Sequence, residues 1–178
     1  MSSGIFLRMA GIRPDLAEAL RQPFMLSGTA ILLITCGLST SLLLRLTRPE
    51  ASMRCCVMAF LVLVVTTISV WAAAMLITDA VTDHAEVDMG QVVEAILSVL
   101  MLSIVPAFTS VNLSKRGATS CPGVSAALAG LTSSTGAAAG YSLHSSISDP
   151  AIFFLCTGLA ILTVTAATVR FGVKSLRW

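Results

Sequence analysis

An all-α bundle of membrane-spanning helices is the fold class this sequence predicts, and two observations carry the prediction. Five stretches, residues 22–44, 55–78, 95–114, 117–148 and 150–169, contain no Asp, Glu, Lys or Arg. Each is long enough to cross the ~30 Å hydrocarbon core, which takes about 20 apolar residues in a helix. The connectors between them are short and alternate in the sign of their charge. Charge-free length sets the number of spans, and charge alternation sets which loops share a side.

Composition agrees. The 178 residues are 56% hydrophobic and 11% charged, against roughly 25% charged in soluble domains. Nearly everything outside a span is a connector, so residues 1–178 read as one integral membrane domain. The net charge of +2 comes from basic residues spread over several loops, which gives no nucleic-acid-binding patch. The start does not read as a secretory signal, whose apolar core is only about 7–15 residues. Here charged and amphipathic residues precede a run of full span length.

Residues 1–21 include GIRPDLAEALR. Pro14 at a first helical position, with Asp15 and Glu18 in the first turn, predicts a short helix before the first span. Span one is expected over about 22–44. The connector after it carries Arg45, Arg48 and Arg54. Span two, about 55–78, is rich in Val, Leu and Thr, with Trp71 in its second half. An acidic loop follows, with Asp79, Asp83, His84, Glu86 and Asp88. Span three, about 92–113, has Glu94 in its first turn and Pro106 near its far end, where a kink is expected.

Lys115 and Arg116 open the next connector. Span four, about 122–143, is built of Gly, Ala, Ser and Thr. Gly136 and Gly140 form a GxxxG, and Ala126 and Gly130 repeat the four-residue spacing. Lipid tails are as apolar as leucine, so helices in a bilayer associate through close van der Waals contact, which small residues permit. The spacing predicts a packing role for Gly130, Gly136 and Gly140 within the chain, with a homodimer face as the alternative. A polar turn with His144 and Asp149 leads to span five, about 150–170, and to a tail with Arg170, Lys174 and Arg177.

Orientation follows from the excess of Lys and Arg on cytoplasmic loops. Eight of the eleven lie in the connector 45–54, the connector 115–121 and the tail, whereas Arg8, Arg13 and Arg21 lie on the opposite side. Five spans then place the C-terminus in the cytoplasm and the N-terminus outside.

Chemistry has few places to sit. Asp83, His84, His144 and Asp149 could ligate a divalent cation if the two outer loops meet. A solvated acidic loop that obeys the charge rule is the simpler reading. Glu94 lies within a turn of water and at a helix N-terminus, where a carboxylate is favoured. Cys36 and Cys156 fall inside spans, and Cys55, Cys56 and Cys121 lie at span ends. Their spacing matches no zinc site, and an odd count fits small packing residues better than a disulfide framework. No nucleophile with a base, metal centre or haem-type histidine pair is evident, so no enzyme and no cofactor is expected. Charges at the bilayer midplane and paired broken helices, the marks of a transporter, are missing as well.

Several strings resemble a known family. GIRPDLAEALRQPF, an apolar span and RLTRPEASMR are followed in order by Leu102-Ser-Ile-Val-Pro106, Arg116-Gly-Ala-Thr and Pro122. After them come Ala129-Gly-Leu131, Gly140-Tyr-Ser-Leu-His144, Asp149-Pro-Ala-Ile-Phe153, Gly172 and the terminal Leu176-Arg-Trp178. Set in this order from about residue 11 to 178, they resemble the NrsF-type membrane anti-sigma factors, negative regulators of extracytoplasmic-function sigma factors.

The resemblance implies a bacterial inner-membrane protein of six spans. Its N-terminal cytoplasmic segment would hold the sigma factor, and a signal reaching cysteines would release it. This chain begins close to the GIRPDL-like string. The expectation is therefore a five-span form without the sigma-binding segment and first helix, whether by a mis-assigned start or as a true short form. The family's Cys after the histidine of the Tyr-x-Leu-His string is replaced here by Ser145, and residues 57–120 hold no Cys. A thiol signal needs a thiolate, so the cysteine mechanism is not expected.

The reading is a sigma-factor regulator acting by sequestration, with Arg45, Arg48, Arg54, Lys115 and Arg116 as the partner-binding residues. The same basic residues would also suit anionic lipid headgroups. The rival readings are a small transporter or channel subunit using Glu94 and Pro106, and a structural subunit of a larger complex.

Overall fold

The computed structural model describes residues 23–46, 53–79, 89–116, 122–144 and 150–176. They form five helices: α1 (Pro23–Leu46), α2 (Met53–Asp79), α3 (Met89–Arg116), α4 (Pro122–Ser142) and α5 (Pro150–Leu176). The short helix expected from Pro14 lies outside the described residues.

Each helix falls on its expected stretch, within a residue or two at most ends; α4 stops at Ser142, one short of 143, and α3 and α5 overrun more. α3 begins at Met89 rather than 92 and ends at Arg116 rather than 113. α5 continues to Leu176 rather than 170. Arg, Lys and Gln are good helix formers, so the helix carries on where the apolar run has stopped. α3 also continues through Pro106.

Three helices contain stretches long and apolar enough to cross a membrane: Leu26–Leu46, Val92–Lys115 and Ile152–Lys174. α2 offers a shorter apolar stretch, Val57–Ala73. α4 is long enough, at 21 residues or about 32 Å, but its hydroxyls and glycines lower its hydropathy.

α4 is the axis of the bundle. Sixteen of its 21 residues are buried, and it touches α1, α3 and α5 closely and α2 slightly. Around it, α3 adjoins α5, α5 adjoins α2, and α2 adjoins α1. The α4–α5 contact is the tightest. A Cβ placed on Gly130 would lie 2.9 Å from the Thr165 Cα and 3.0 Å from the Thr168 Cβ. One on Gly172 would lie 2.8 Å from the Ala126 Cβ. Only hydrogen fits at either position, so glycine here sets the distance between the two backbones. Gly136 faces α1 instead, where its Cβ position is 3.4 Å from the Cys36 Sγ. Gly140 is buried.

Several hydroxyls of α4 are buried at little cost because they bond to their own helix, whereas the buried Ser125 Oγ makes no hydrogen bond among the described residues. Ser133 donates to the Ala129 carbonyl at 2.6 Å, Ser134 to Gly130 at 2.8 Å and Thr135 to Leu131 at 2.6 Å. Such back-bonding satisfies a polar group inside an apolar surround. Two contacts instead join helices. The Thr132 hydroxyl donates to the Ser39 Oγ at 3.0 Å, and Thr29 and Ser142 share a hydrogen bond of 3.1 Å.

These pairs fix direction. Numbers rise along α1 as they fall along α4, from Thr29–Ser142 to Ser39–Thr132, so the two helices are antiparallel. Ala126–Gly172 and Gly130–Thr165 make α4 and α5 antiparallel too. The five residues 117–121 reach at most about 18 Å, so α3 must end where α4 begins. α2 is seated by Trp71, whose ring meets that of Phe154 edge-on at 5.0 Å and lies 3.3 Å from the Cβ position of Gly158.

Candidate functional site: the basic end of the bundle

An up-and-down bundle sorts its connectors by parity. The C-termini of α1, α3 and α5 and the N-termini of α2 and α4 lie at one end, and the remaining termini lie at the other. Three separate parts of the sequence thus deliver basic residues to one end. Arg45 lies in the last turn of α1 and Lys174 in the last turn of α5. Both are exposed, and Lys115, in the last turn of α3, is half-buried. Arg54 and Arg116 belong to the first turn of α2 and the last residue of α3. Arg48 lies outside the described residues. Cations at the C-terminal ends of α1, α3 and α5 also face the negative pole of each helix dipole, which favours them there by about 0.3–1 kcal/mol each.

Among the described residues this end carries no carboxylate. Its charge is therefore not consumed by ion pairs with Asp or Glu of the same helices. What such an arrangement can do is bind an anionic surface, whether protein or lipid.

The opposite end holds the other candidates. His144 follows α4 in its C-terminal turn, and its backbone N–H donates to the Tyr141 carbonyl at 2.9 Å. Asp83, His84 and Asp149 lie outside the described residues, and no group of three or more His, Cys, Asp or Glu is assembled among the described ones. Glu94 is exposed in the second turn of α3. Cys36 is half-buried, with its Sγ 3.5 Å from the Thr132 carbonyl, and Cys156 is buried. Both stand as thiols in the helix packing, Cys36 on α1 against α4 and Cys156 on α5.

Sequence reasoning groups the basic residues by their sign, yet it does not single out Lys115. That residue differs from its neighbours by its partial burial, beside Asn112 on the same helix, along a groove toward α5. Its signal is a lysine at the last turn of an apolar helix one turn after an amide, which is too common a pattern to be recognised alone.

Neither a curated protein nor a solved structure matches the chain. A family model does match, over residues 1–178, and its description is negative regulator of sigma F. The family is named for regulation and not for catalysis, and it implies a sigma factor as partner. With the match extending over the entire sequence, this helical chain belongs to the NrsF family, the negative regulators of sigma F.

Proposed function

We propose that this chain is an anti-sigma factor of the bacterial inner membrane that holds an extracytoplasmic-function sigma factor at the bilayer. In this reading all five helices cross the membrane, with the N-terminus outside and the C-terminus in the cytoplasm. α4 crosses although its own hydropathy is low, because its four neighbours and not lipid surround it. The basic end faces the cytoplasm, as the excess of Lys and Arg on that side favours. Sequestration then lowers the free sigma factor by mass action.

The family match over the whole chain carries this reading. Support for the location comes from the three helices that are apolar and long enough to span. Support for the surface comes from Arg45, Arg54, Lys115 and Arg116 gathering at one end, with Arg48 in the connector between α1 and α2.

Charge reversal tests it. Membranes bearing tagged protein should retain the sigma factor, and the triple variant R45E/R48E/R54E should retain at least tenfold less, equivalent to about 1.4 kcal/mol. Equal recovery of the sigma factor with wild type and variant would remove the basic end as the binding surface.

A further inference from the structure

The outer faces of α3 and α5 do not close against each other. They leave an open groove of about 440 Å³ that runs from Leu97 to Lys115 along α3 and from Thr163 to Gly172 along α5. The volume lies within the range of small-molecule sites, ~300–1,000 Å³. Its walls are apolar side chains such as Ile104, Phe108, Val111 and Phe171. Ser103 and Thr163 line it partway along, Asn112 and Lys115 line its basic end, and Lys115 is the one charged residue in the lining.

From the geometry we infer that this groove holds one acyl chain of an anionic phospholipid, with the phosphate on Lys115 and Asn112. The inference rests on the reading that α3 and α5 cross the membrane with Lys115 at the cytoplasmic face. The dimensions agree with it. Ile104 to Lys115 spans about 16 Å at 1.5 Å per residue, which is half of the ~30 Å hydrocarbon core. An acyl chain of the same leaflet therefore fills the half of the groove nearest the lysine.

Charge selects this occupant over a second copy of the chain. Every copy inserts with the same orientation, so a neighbour seated in the groove brings Arg45, Arg54 and Lys174 to the level of Lys115. Like charges at an interface are repelled. A lipid phosphate supplies the opposite charge, and the Asn112 amide supplies a second hydrogen-bond donor. Lys115 is then committed to lipid, and the sigma factor is left with Arg45, Arg48, Arg54 and Arg116.

The test is competition between two lipids of equal chain length, phosphatidylglycerol and phosphatidylcholine, on the full chain extracted from membranes in mild detergent. Native mass spectrometry reads the bound lipid. Wild type should hold one phosphatidylglycerol in preference to phosphatidylcholine. Lys115→Gln should weaken the preference about five-fold, the share expected of one lysine at an anionic surface. Lys174→Gln, at the same end but outside the groove, should keep it. Ala167→Trp, which fills the groove from α5, should lose both lipids.

Equal binding of the two lipids by wild type, or equal loss in the Lys174 and Lys115 variants, would overturn the site. Should Ala167→Trp fail to fold, the two lysine variants still decide. Recovery of the chain outside the membrane fraction would overturn the membrane reading together with the groove. Failure of the sigma-factor pull-down alone would leave the lipid result standing.

Discussion

α4 and α2 are built on opposite plans. α4 is rich in Gly, Ala, Ser and Thr and is buried on nearly every side. α2 is made of Val, Leu, Met and Thr, and among its described side chains only Leu63 is buried. Met58, Val62, Val65 and Ile68 are each more than half exposed. In a soluble protein the ranking would be reversed, with the large apolar side chains inside. In a bilayer the surroundings are already apolar, so size and shape decide what goes to the centre. The central helix is the one whose side chains let other backbones come near. On the proposed reading that the bundle sits in a bilayer, the outer helix is the one whose side chains would meet lipid.

The largest effect expected from this difference is at Gly130. Leucine there would drive its Cβ to 2.9 Å from a backbone atom of α5, which cannot rotate away as a side-chain tip can. Overpacking of cores costs about 1–3 kcal/mol and occasionally more, and a clash with backbone belongs at the upper end. Gly130→Leu should fall to a small fraction of wild-type yield and lose its cooperative thermal transition in detergent. Ile68→Leu, at a position 60% exposed on α2, should unfold within a degree or two of wild type. Equal behaviour of the two variants would break the contrast.

A smaller effect is expected where α2 is attached. Trp71 provides the contact, edge-on to Phe154 and against Gly158. Full burial makes an aromatic-to-Ala change worth about 3–5 kcal/mol. Trp71 is half-buried, so Trp71→Ala should cost about 2 kcal/mol. Thermal unfolding in detergent reads this cost. A thiol reagent acting on a cysteine introduced at Gly158 should also react faster in the variant, because the indole that covers this position is gone. An unchanged rate would mean that α2 is held elsewhere.

The helices were legible in the sequence because long charge-free apolar runs stand out between short charged connectors. Their ends were less so, since Lys, Arg and Gln at the flanks of α3 and α5 continue a helix as readily as they stop a span. The arrangement around α4 could not be read. With small residues at almost every position, α4 has no apolar stripe to say which face meets which neighbour. The Gly136-to-Gly140 motif draws attention, yet Gly130 lies closest to a neighbouring backbone. For the site, the sign and sequence position of Arg45, Lys115 and Arg116 were on view from the start. The groove beside Lys115 was not, since it is lined by two helices, α3 and α5, that lie far apart in the sequence.

The smallest effect is also the finest test, because it asks whether the polar atoms of α4 hold helices together or are merely tolerated. Thr132 and Thr66 are alike in chemistry and differ in what they bond. Thr132 donates across the interface to Ser39 at 3.0 Å. Ser39 in turn donates to the Thr35 carbonyl at 2.7 Å, so removing Thr132's hydroxyl strands no proton. Thr66 donates only within its own helix, to the Val62 carbonyl at 2.8 Å, and is exposed. Interhelical hydrogen bonds in membranes average about 0.6 kcal/mol, far below the cost of a clash at Gly130. Thr132→Val should therefore lower the unfolding free energy by about that amount, and Thr66→Val by close to nothing. A double variant, Thr132→Val with Ser39→Ala, should cost no more than the sum of the singles if the bond is their sole coupling. A Thr132→Val loss of several kcal/mol would mean that the hydroxyls, and not the small volumes, hold the centre of the bundle.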